Sequence, residues 1–201
     1  MPERGPELVE LDTTESIWER FFTVFPLVVV GTVEPDGALD LAPKHLAMPM
    51  SWESHFGFVC TPRHRTYQNV QRTGEFTVTY ARPSQAVLAS LAASPRCEDG
   101  SKPITSALPT IPATKVEGAF LQDGYLFLEC KLTQIYDDFG TNSLITGEIV
   151  AARVAEDAHR SSDEDDQDLI RRTPLISYLY PGRFAEISAS QQLPFPAGFK
   201  R

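Results

Sequence analysis

The sequence predicts a mainly β fold with a few helices, a closed or partly closed antiparallel barrel. Three observations carry this expectation. Six or so strand-like runs, several of them short, recur between turn signals. Only two or three segments show helical periodicity. The 201 residues contain no internal repeat and no linker that divides them, so residues 1–201 read as one domain able to bury a substantial core.

Residues 1–11 read as a loose arm, without the basic-then-apolar pattern of a secretory signal. Asp12-Thr13-Thr14-Glu15 has the form of a capping box and predicts a helix through Phe22, with Ile17, Trp18, Phe21 and Phe22 facing the core. Pro26 to Val33 is a β-branched run buried on both faces or nearly so. Glu34-Pro35-Asp36-Gly37 is a turn, and Ala38 to Ala42 returns as a second strand. Pro43 cannot donate to a ladder, so the backbone there leaves the sheet or lies at an edge. Leu46 to Trp52 is irregular and apolar, suited to a pocket wall or an interface.

Phe56–Cys60 and Phe76–Tyr80 are strands, and Phe76, Val78 and Tyr80 share a face. Pro83 to Ala92 is helical, and residues 94–114 form a long Pro- and Ser/Thr-rich excursion of the kind that covers a site or reaches a partner. Residues 125–132 alternate, with Leu126, Leu128, Cys130 and Leu132 on one side. Residues 143–154 form another strand, Asp168–Arg172 a short helix, and Ser177–Lys200 shows little periodicity.

The formal net charge of −9 argues against nucleic acid as a general partner. No apolar run approaches the ~20 residues that cross a bilayer, so no membrane association is expected. Three widely spaced cysteines, Cys60, Cys97 and Cys130, fit free thiols in a reducing cytoplasm, with Cys60 and Cys130 as core residues. The acidity is uneven. Residues 156–168 carry seven acids against Arg160 alone, within an acidic surface loop at 155–168. Residues 44–72 carry Lys44, Arg63, Arg65 and Arg72 against Glu53 alone, with three of the four histidines.

That cationic concentration centres on Thr61-Pro62-Arg63-His64-Arg65-Thr66-Tyr67-Gln68-Asn69-Val70. Thr66 there could cap a short helix, whose N-terminus, with Arg63, His64 and Arg65, would favour a ligand's phosphate. The alternative is a solvated basic turn of little energetic weight, with Thr66 and Asn69 only stabilising the helix. No Ser/His/Asp or Cys/His order and no metal-ligand spacing is present, so no catalytic residue and no metal are assigned.

The order of these features resembles the flavin reductase-like family, the FMN-binding split-barrel group, over roughly residues 20–190. The carrying pieces are Pro26 to Thr32, Gly37 to Pro43, Arg63 to Val70 with Thr73 to Val78, Leu128 to Leu132, Gly147 to Val150, and Pro174 to Tyr178 with Gly182-Arg183-Phe184. The resemblance implies a Greek-key split β-barrel, a homodimer, and FMN near the dimer interface. It places Ala42, Pro43, Lys44 and His45 along the isoalloxazine ring. Thr61, Arg63, His64, Arg65, Thr66 and Asn69 fall at the phosphate and ribityl chain. NAD(P)H is the implied electron donor, FAD a possible exchangeable substrate, and a monooxygenase a possible partner.

Two departures stand out. Asp40 replaces an asparagine common in the family, and Gly140-Thr141-Asn142 replaces a Gly-Asp-His that many reductases carry. The second change motivates an alternative, a flavoredoxin-like electron-transfer or flavin-binding protein with no nicotinamide site of its own. A barrel of the related pyridoxamine-phosphate oxidase type, using another cofactor, is a third reading.

Overall fold

Turn chemistry and β-branched runs set the chain's course from the first ordered strand onward. The structure is a computed structural model that describes residues 5, 7–161 and 163–198. Its strands are β1 (Thr23–Pro26), β2 (Val28–Val33), β3 (Leu39–Lys44), β4 (Ala47–Pro49), β5 (His55–Cys60) and β6 (Glu75–Tyr80), then β7 (Thr110–Pro112), β8 (Ala119–Leu121), β9 (Leu126–Phe139), β10 (Asn142–Val154), β11 (Leu175–Tyr180) and β12 (Arg183–Ile187). The helices are α1 (Arg65–Thr73), α2 (Ala86–Leu91), α3 (Ile104–Ala107) and α4 (Asp166–Arg172).

Seven strands form one antiparallel sheet in the order β3-β2-β6-β9-β10-β5-β4. Its two edges, β3 and β4, are joined in sequence by only His45 and Leu46. A flat sheet would hold those edges about 29 Å apart, at ~4.8 Å per strand. Three residue steps span at most about 11 Å. The sheet therefore curls into a barrel with a seam between its edges, the split barrel expected from the sequence. Pro43 sits in the edge strand, as its missing N–H requires, opposite Val29.

Inside the curl lie Val28, Val30, Phe56, Phe58, Cys60, Phe76, Val78, Leu128, Cys130 and Ile145. Helix α1 plugs one end with Tyr67 and Val70. Burial pushes the Cys130 thiol up to about 12, with the neighbouring Glu129 charge adding to it, consistent with an inert core residue. Outside the barrel, α2 packs Ala89 and Ala92 on Val29 and Leu41. The β7–β8 hairpin crosses the β2–β6 surface, where a side chain at Gly31 would run into the Ala119 carbonyl and Thr77.

Several expectations need correction. The helix from Asp12 to Phe22 is absent apart from one 3-10 turn at Trp18–Arg20. Asp12 instead accepts hydrogen bonds from the Thr14 N–H and hydroxyl, at 2.9 and 2.7 Å, which closes a local turn and removes the cap. Trp18, Phe21 and Phe22 are exposed rather than core-facing. The Pro26–Val33 run breaks at Leu27: β1 leaves the main sheet to pair with β11, and β12 completes a three-stranded sheet in the stretch read as aperiodic. Residues 47–49 of the irregular apolar stretch form β4, and β9 and β10 meet at a hairpin through Gly140 and Thr141.

Glu129 stands on the face of β9 opposite Leu128 and Cys130. It is fully buried there and accepts hydrogen bonds from the backbone N–H groups of Thr114, Lys115 and Val116 and from the Thr114 hydroxyl. Burial alone would raise its pKa, but these donors outweigh burial and hold the carboxyl below the usual range. Glu129→Gln is expected to lower stability by about 2–3 kcal/mol, since charge-assisted hydrogen bonds to three backbone donors are weakened together. Urea unfolding checks this; a change under ~0.5 kcal/mol would show that the 114–116 turn does not depend on the carboxylate.

Candidate functional site

The seam between β3 and β4 gathers most of the residues singled out in the sequence. The edge position of β3 leaves Ala42, Pro43 and Lys44 half-buried. His45 follows among three aromatic rings: Phe25 at 5.5 Å, Tyr178 at 4.8 Å and Tyr180 at 5.7 Å between centroids. Beside it, a cavity of about 320 Å³ is walled by Pro43, Lys44 and His45, by Ala89, Ser90 and Ala93 of the α2 segment, and by the β11–β12 hairpin. A second cavity of about 760 Å³ shares His45 and continues past Thr23, Phe25, Tyr180 and Asn142 to Trp18. Both fall in the ~300–1,000 Å³ range of small-molecule sites.

Helix α1 begins next to this seam. Its N-cap is His64, which makes no side-chain capping bond, so the residue expected to cap, Thr66, lies instead within the first turn. The first N–H groups of an α-helix have no intrahelical partner and carry the positive end of the dipole. Lys44 and Arg63 both bear on His64. Burial first, then the charges of Lys44 and Arg63, lower the His64 pKa below 6.5, against an opposing pull from Asp40. Lys44 reaches across the seam and donates to the Cys60 sulfur at 3.5 Å. Among the described residues, neither Lys44 nor Arg63 has a carboxylate partner at ion-pair distance.

The structure thus puts Pro43, Lys44 and His45 in one cavity wall, with Ala42 beside them in β3, and sets Arg63 and His64 within electrostatic reach of Lys44 and the Thr61 carbonyl near the Cys60 sulfur that Lys44 meets; it separates the other three. Thr66 is buried and donates to Asp40 Oδ2 at 3.1 Å; Asn69 is buried and donates to the Thr32 hydroxyl at 3.0 Å. Both fasten α1 to the barrel. Arg65 turns to the opposite side of the helix end, 3.9 Å from Glu34, where it lines a separate cavity of about 660 Å³ under the 94–114 excursion.

Sequence reading missed Tyr178, Arg183 and Phe184 as walls, because β11 and β12 lack a clean alternation, and it missed the small residues of α2. Ala86, Ala89, Ser90 and Ala93 recur at helical spacing, a signal that could have marked a close-approach face. Asp40 also differs from expectation. It does not confront the seam as a lone acid: Oδ1 accepts from Arg96 at 2.8 Å and from Lys102 at 3.3 Å.

The chemistry of the donor set fits a flat, phosphate-bearing ligand. Lys44 joins the cavity wall to the free N–H groups of α1 through His64, half-buried backbone runs along β3, and small side chains of α2 line the cavity. The histidines are tuned to be neutral. Burial first and Lys44 second lower the His45 pKa, as they do for His64. A depressed folded-state value means the neutral form is favoured in the fold. The contribution is therefore full above the ordinary value of 6.5 and is lost as pH falls through the lowered folded value. The thermal midpoint should drop as pH is lowered from about 7 to about 5, and His45→Phe should remove part of that drop; identical pH profiles would contradict the assignment.

A family model, the flavin reductase like domain, matches residues 22–188. An uncharacterized protein of Methanothermobacter thermautotrophicus is 26% identical over 157 residues, 75% of this chain and 73% of that one. Nitrilotriacetate monooxygenase component B from Bacillus cereus has a similar structure, with a TM-score of 0.80 at 17% identity over 94% of this chain and all of that one. Flavoredoxin from Methanosarcina acetivorans superposes with a TM-score of 0.77 at 15% identity, over 96% and 98% of the two chains. The split barrel and the seam it opens are those of a family to which this chain, matched over most of its length, belongs: the flavin reductase-like domain proteins.

Proposed function

We propose that the chain is an FMN-binding oxidoreductase of the flavin reductase type, taking electrons from NAD(P)H. The observation that carries the reading is that Lys44, a wall of the seam cavity, and Arg63 both bear on His64 at the free N-terminus of α1, with no carboxylate at ion-pair distance from either among the described residues, in a chain of net charge −9. The phosphate sits at the helix end against Arg63 and His64, with the backbone of Thr61 beside it. The ring lies along Ala42-Pro43-Lys44-His45. Thr66, Asn69 and, from the far side of the helix end, Arg65 fix and bias the phosphate loop without touching the ring.

Bound FMN would supply the hydride and electron chemistry. The chain's own task is to bind, orient and tune. Lys44, held toward Cys60, keeps a positive charge at the ring wall, which favours a ligand that becomes more anionic on reduction. The aromatic group of Phe25, Tyr178 and Tyr180 fixes His45 as a neutral wall. Trp18, in the wall of the larger cavity, and Phe22, Met48 and Trp52 are exposed, which supports a homodimer that covers such surface. The likeness to a monooxygenase component supports delivery of reduced flavin to a partner monooxygenase, with FAD as an exchangeable alternative. A cytoplasmic site of action accords with the free thiols.

A second reading keeps the flavin and drops the nicotinamide. Asn142 stands in the wall of the larger cavity, at the position where many reductases carry histidine. The likeness to a flavoredoxin fits an electron carrier equally well.

Purified protein titrated with FMN should quench flavin fluorescence to saturation. Arg63→Ala should raise the dissociation constant about tenfold, roughly 1.4 kcal/mol. Arg65→Ala, facing the other cavity, should change it less than about threefold. No quenching at all would reject the flavin reading. Anaerobic NADH or NADPH should bleach the bound flavin within seconds; a stable oxidised spectrum would favour the carrier.

A further inference from the structure

The 94–114 excursion never reaches the seam cavity, yet one of its side chains is anchored to two of that cavity's walls and, through one carboxylate, to the helix beside it. The Lys102 side chain is buried, at 8% exposure. An ammonium group has three hydrogens to donate. Here they go to the Leu41 carbonyl at 2.7 Å, the Ala92 carbonyl at 2.7 Å and Asp40 Oδ1 at 3.3 Å. Leu41 lies in β3 directly before Ala42-Pro43-Lys44. Ala92 is the C-cap of α2, whose Ala89 and Ser90 line the same cavity. Asp40, on its other oxygen, receives the Thr66 hydroxyl from the first turn of α1.

One buried cation therefore sets the distances between the β3 wall, the α2 wall and the phosphate-binding helix end. Arg96 completes the charge balance: the same terminal nitrogen donates to Asp40 Oδ1 at 2.8 Å and to Glu34 Oε1 at 2.5 Å. Two buried acids thus meet two cations. Lys102 lines the separate 660 Å³ cavity and not the seam cavity. Any influence on a ligand in the seam must pass through the walls it holds.

We propose that Lys102 is a positioning residue for flavin binding, fixing the spacing of the site without contacting the flavin. This rests on the flavin reading above. Truncation to alanine removes the ammonium while leaving solvent access to the vacated space through the 660 Å³ cavity, so a small alkylammonium ion can take its place.

The experiment titrates FMN into wild type, Lys102→Ala and Glu129→Gln, each well below its unfolding temperature, in buffer with propylammonium chloride or equimolar NaCl. The expected result is a dissociation constant raised about tenfold in Lys102→Ala. Propylammonium should recover at least about threefold of this relative to NaCl, with no effect on wild type. Glu129→Gln is destabilised at a site remote from the seam and should bind FMN within about twofold of wild type. If wild type itself takes up no FMN, the flavin reading falls and this proposal with it. If wild type binds and Lys102→Ala binds within twofold, the positioning role alone is overturned. It is likewise overturned if Glu129→Gln loses as much affinity as Lys102→Ala, or if propylammonium restores nothing. Should Lys102→Ala fail to fold by circular dichroism, Lys102→Met keeps the apolar stem and removes only the donors. Its affinity within twofold of wild type would overturn the role, and a tenfold loss would support it.

Discussion

The two-residue link between Lys44 and Ala47 is the constraint on which the rest of the structure depends. It ties together the opposite edges of a seven-stranded sheet, and no flat arrangement can satisfy it. The curl that results buries the apolar faces of six different strands around Phe58 and Phe76, whose rings meet edge-on at 5.3 Å. It also leaves a seam where β3 and β4 approach without pairing. An unpaired strand edge is a liability unless something covers it. Here α2 and the β11–β12 hairpin stand over β3, and the gap between them is the cavity. The site is thus a by-product of closing the barrel through so short a connection.

Charge sorting around that seam follows from burial. Glu34 and Asp40 lie in the fold at 8% and 2% exposure, and buried acids need partners close by. Arg96 and Lys102 meet this need from the excursion, and Arg65 adds a looser contact to Glu34. On the seam side, neither Lys44 nor Arg63 has a carboxylate at ion-pair distance among the described residues. An overall charge of −9 conceals this, because much of the acidity lies in the 155–168 loop. Among its described residues, Asp157, Glu164 and Asp166 pair with Arg82, Arg172 and Arg160 at the surface. Such exposed pairs are worth little individually, and they leave the local field at the seam positive.

Sequence alone revealed the strands whose periodicity was undiluted. The alternation of Leu126, Leu128 and Cys130, and that of Phe76, Val78 and Tyr80, matches the packed face observed. The edge position of Pro43 followed from its missing N–H. Misreadings arose where local signals competed with partners distant in sequence. Asp12-Thr13-Thr14-Glu15 satisfies the capping pattern, but its carboxylate is consumed two residues away. Ser177–Lys200 looks aperiodic, yet Tyr178 and Phe184 are cross-strand partners, which no local window reveals. The site was legible as a cationic loop plus an edge strand. The division between Arg63 and Arg65 was not, because the backbone turns from the extended N-cap His64 into the helix between them, so that Arg65 is the first helical residue and Arg63 lies outside the helix. The roles of Arg96 and Lys102 were invisible for a different reason: both reach β3 through contacts more than 50 residues away along the chain.

Asp40 shows how the structure changes the meaning of a residue that the resemblance drawn from the sequence makes conspicuous. An isolated carboxylate near a flavin would oppose its anionic reduced form. Coulomb energies fall only as 1/r at a given dielectric, so what matters is the sum over the charges near the ring. Arg96 and Lys102 lie at 2.8 and 3.3 Å from the same Asp40 oxygen. At longer range the two acids, Glu34 and Asp40, and the two cations, Arg96 and Lys102, present little net charge together. The charges left to act on a ligand in the seam then include Lys44 and Arg183, which wall the cavity, and Arg63 beside His64. Replacing asparagine by aspartate at this position therefore costs the site little negative potential. In exchange, the carboxylate can bind an ammonium, a guanidinium and a hydroxyl at once, which an amide with one acceptor oxygen does less strongly. The acid is accordingly a structural tie between β3, α1 and the excursion, and it is compatible with reduced flavin because its charge is spent on that tie.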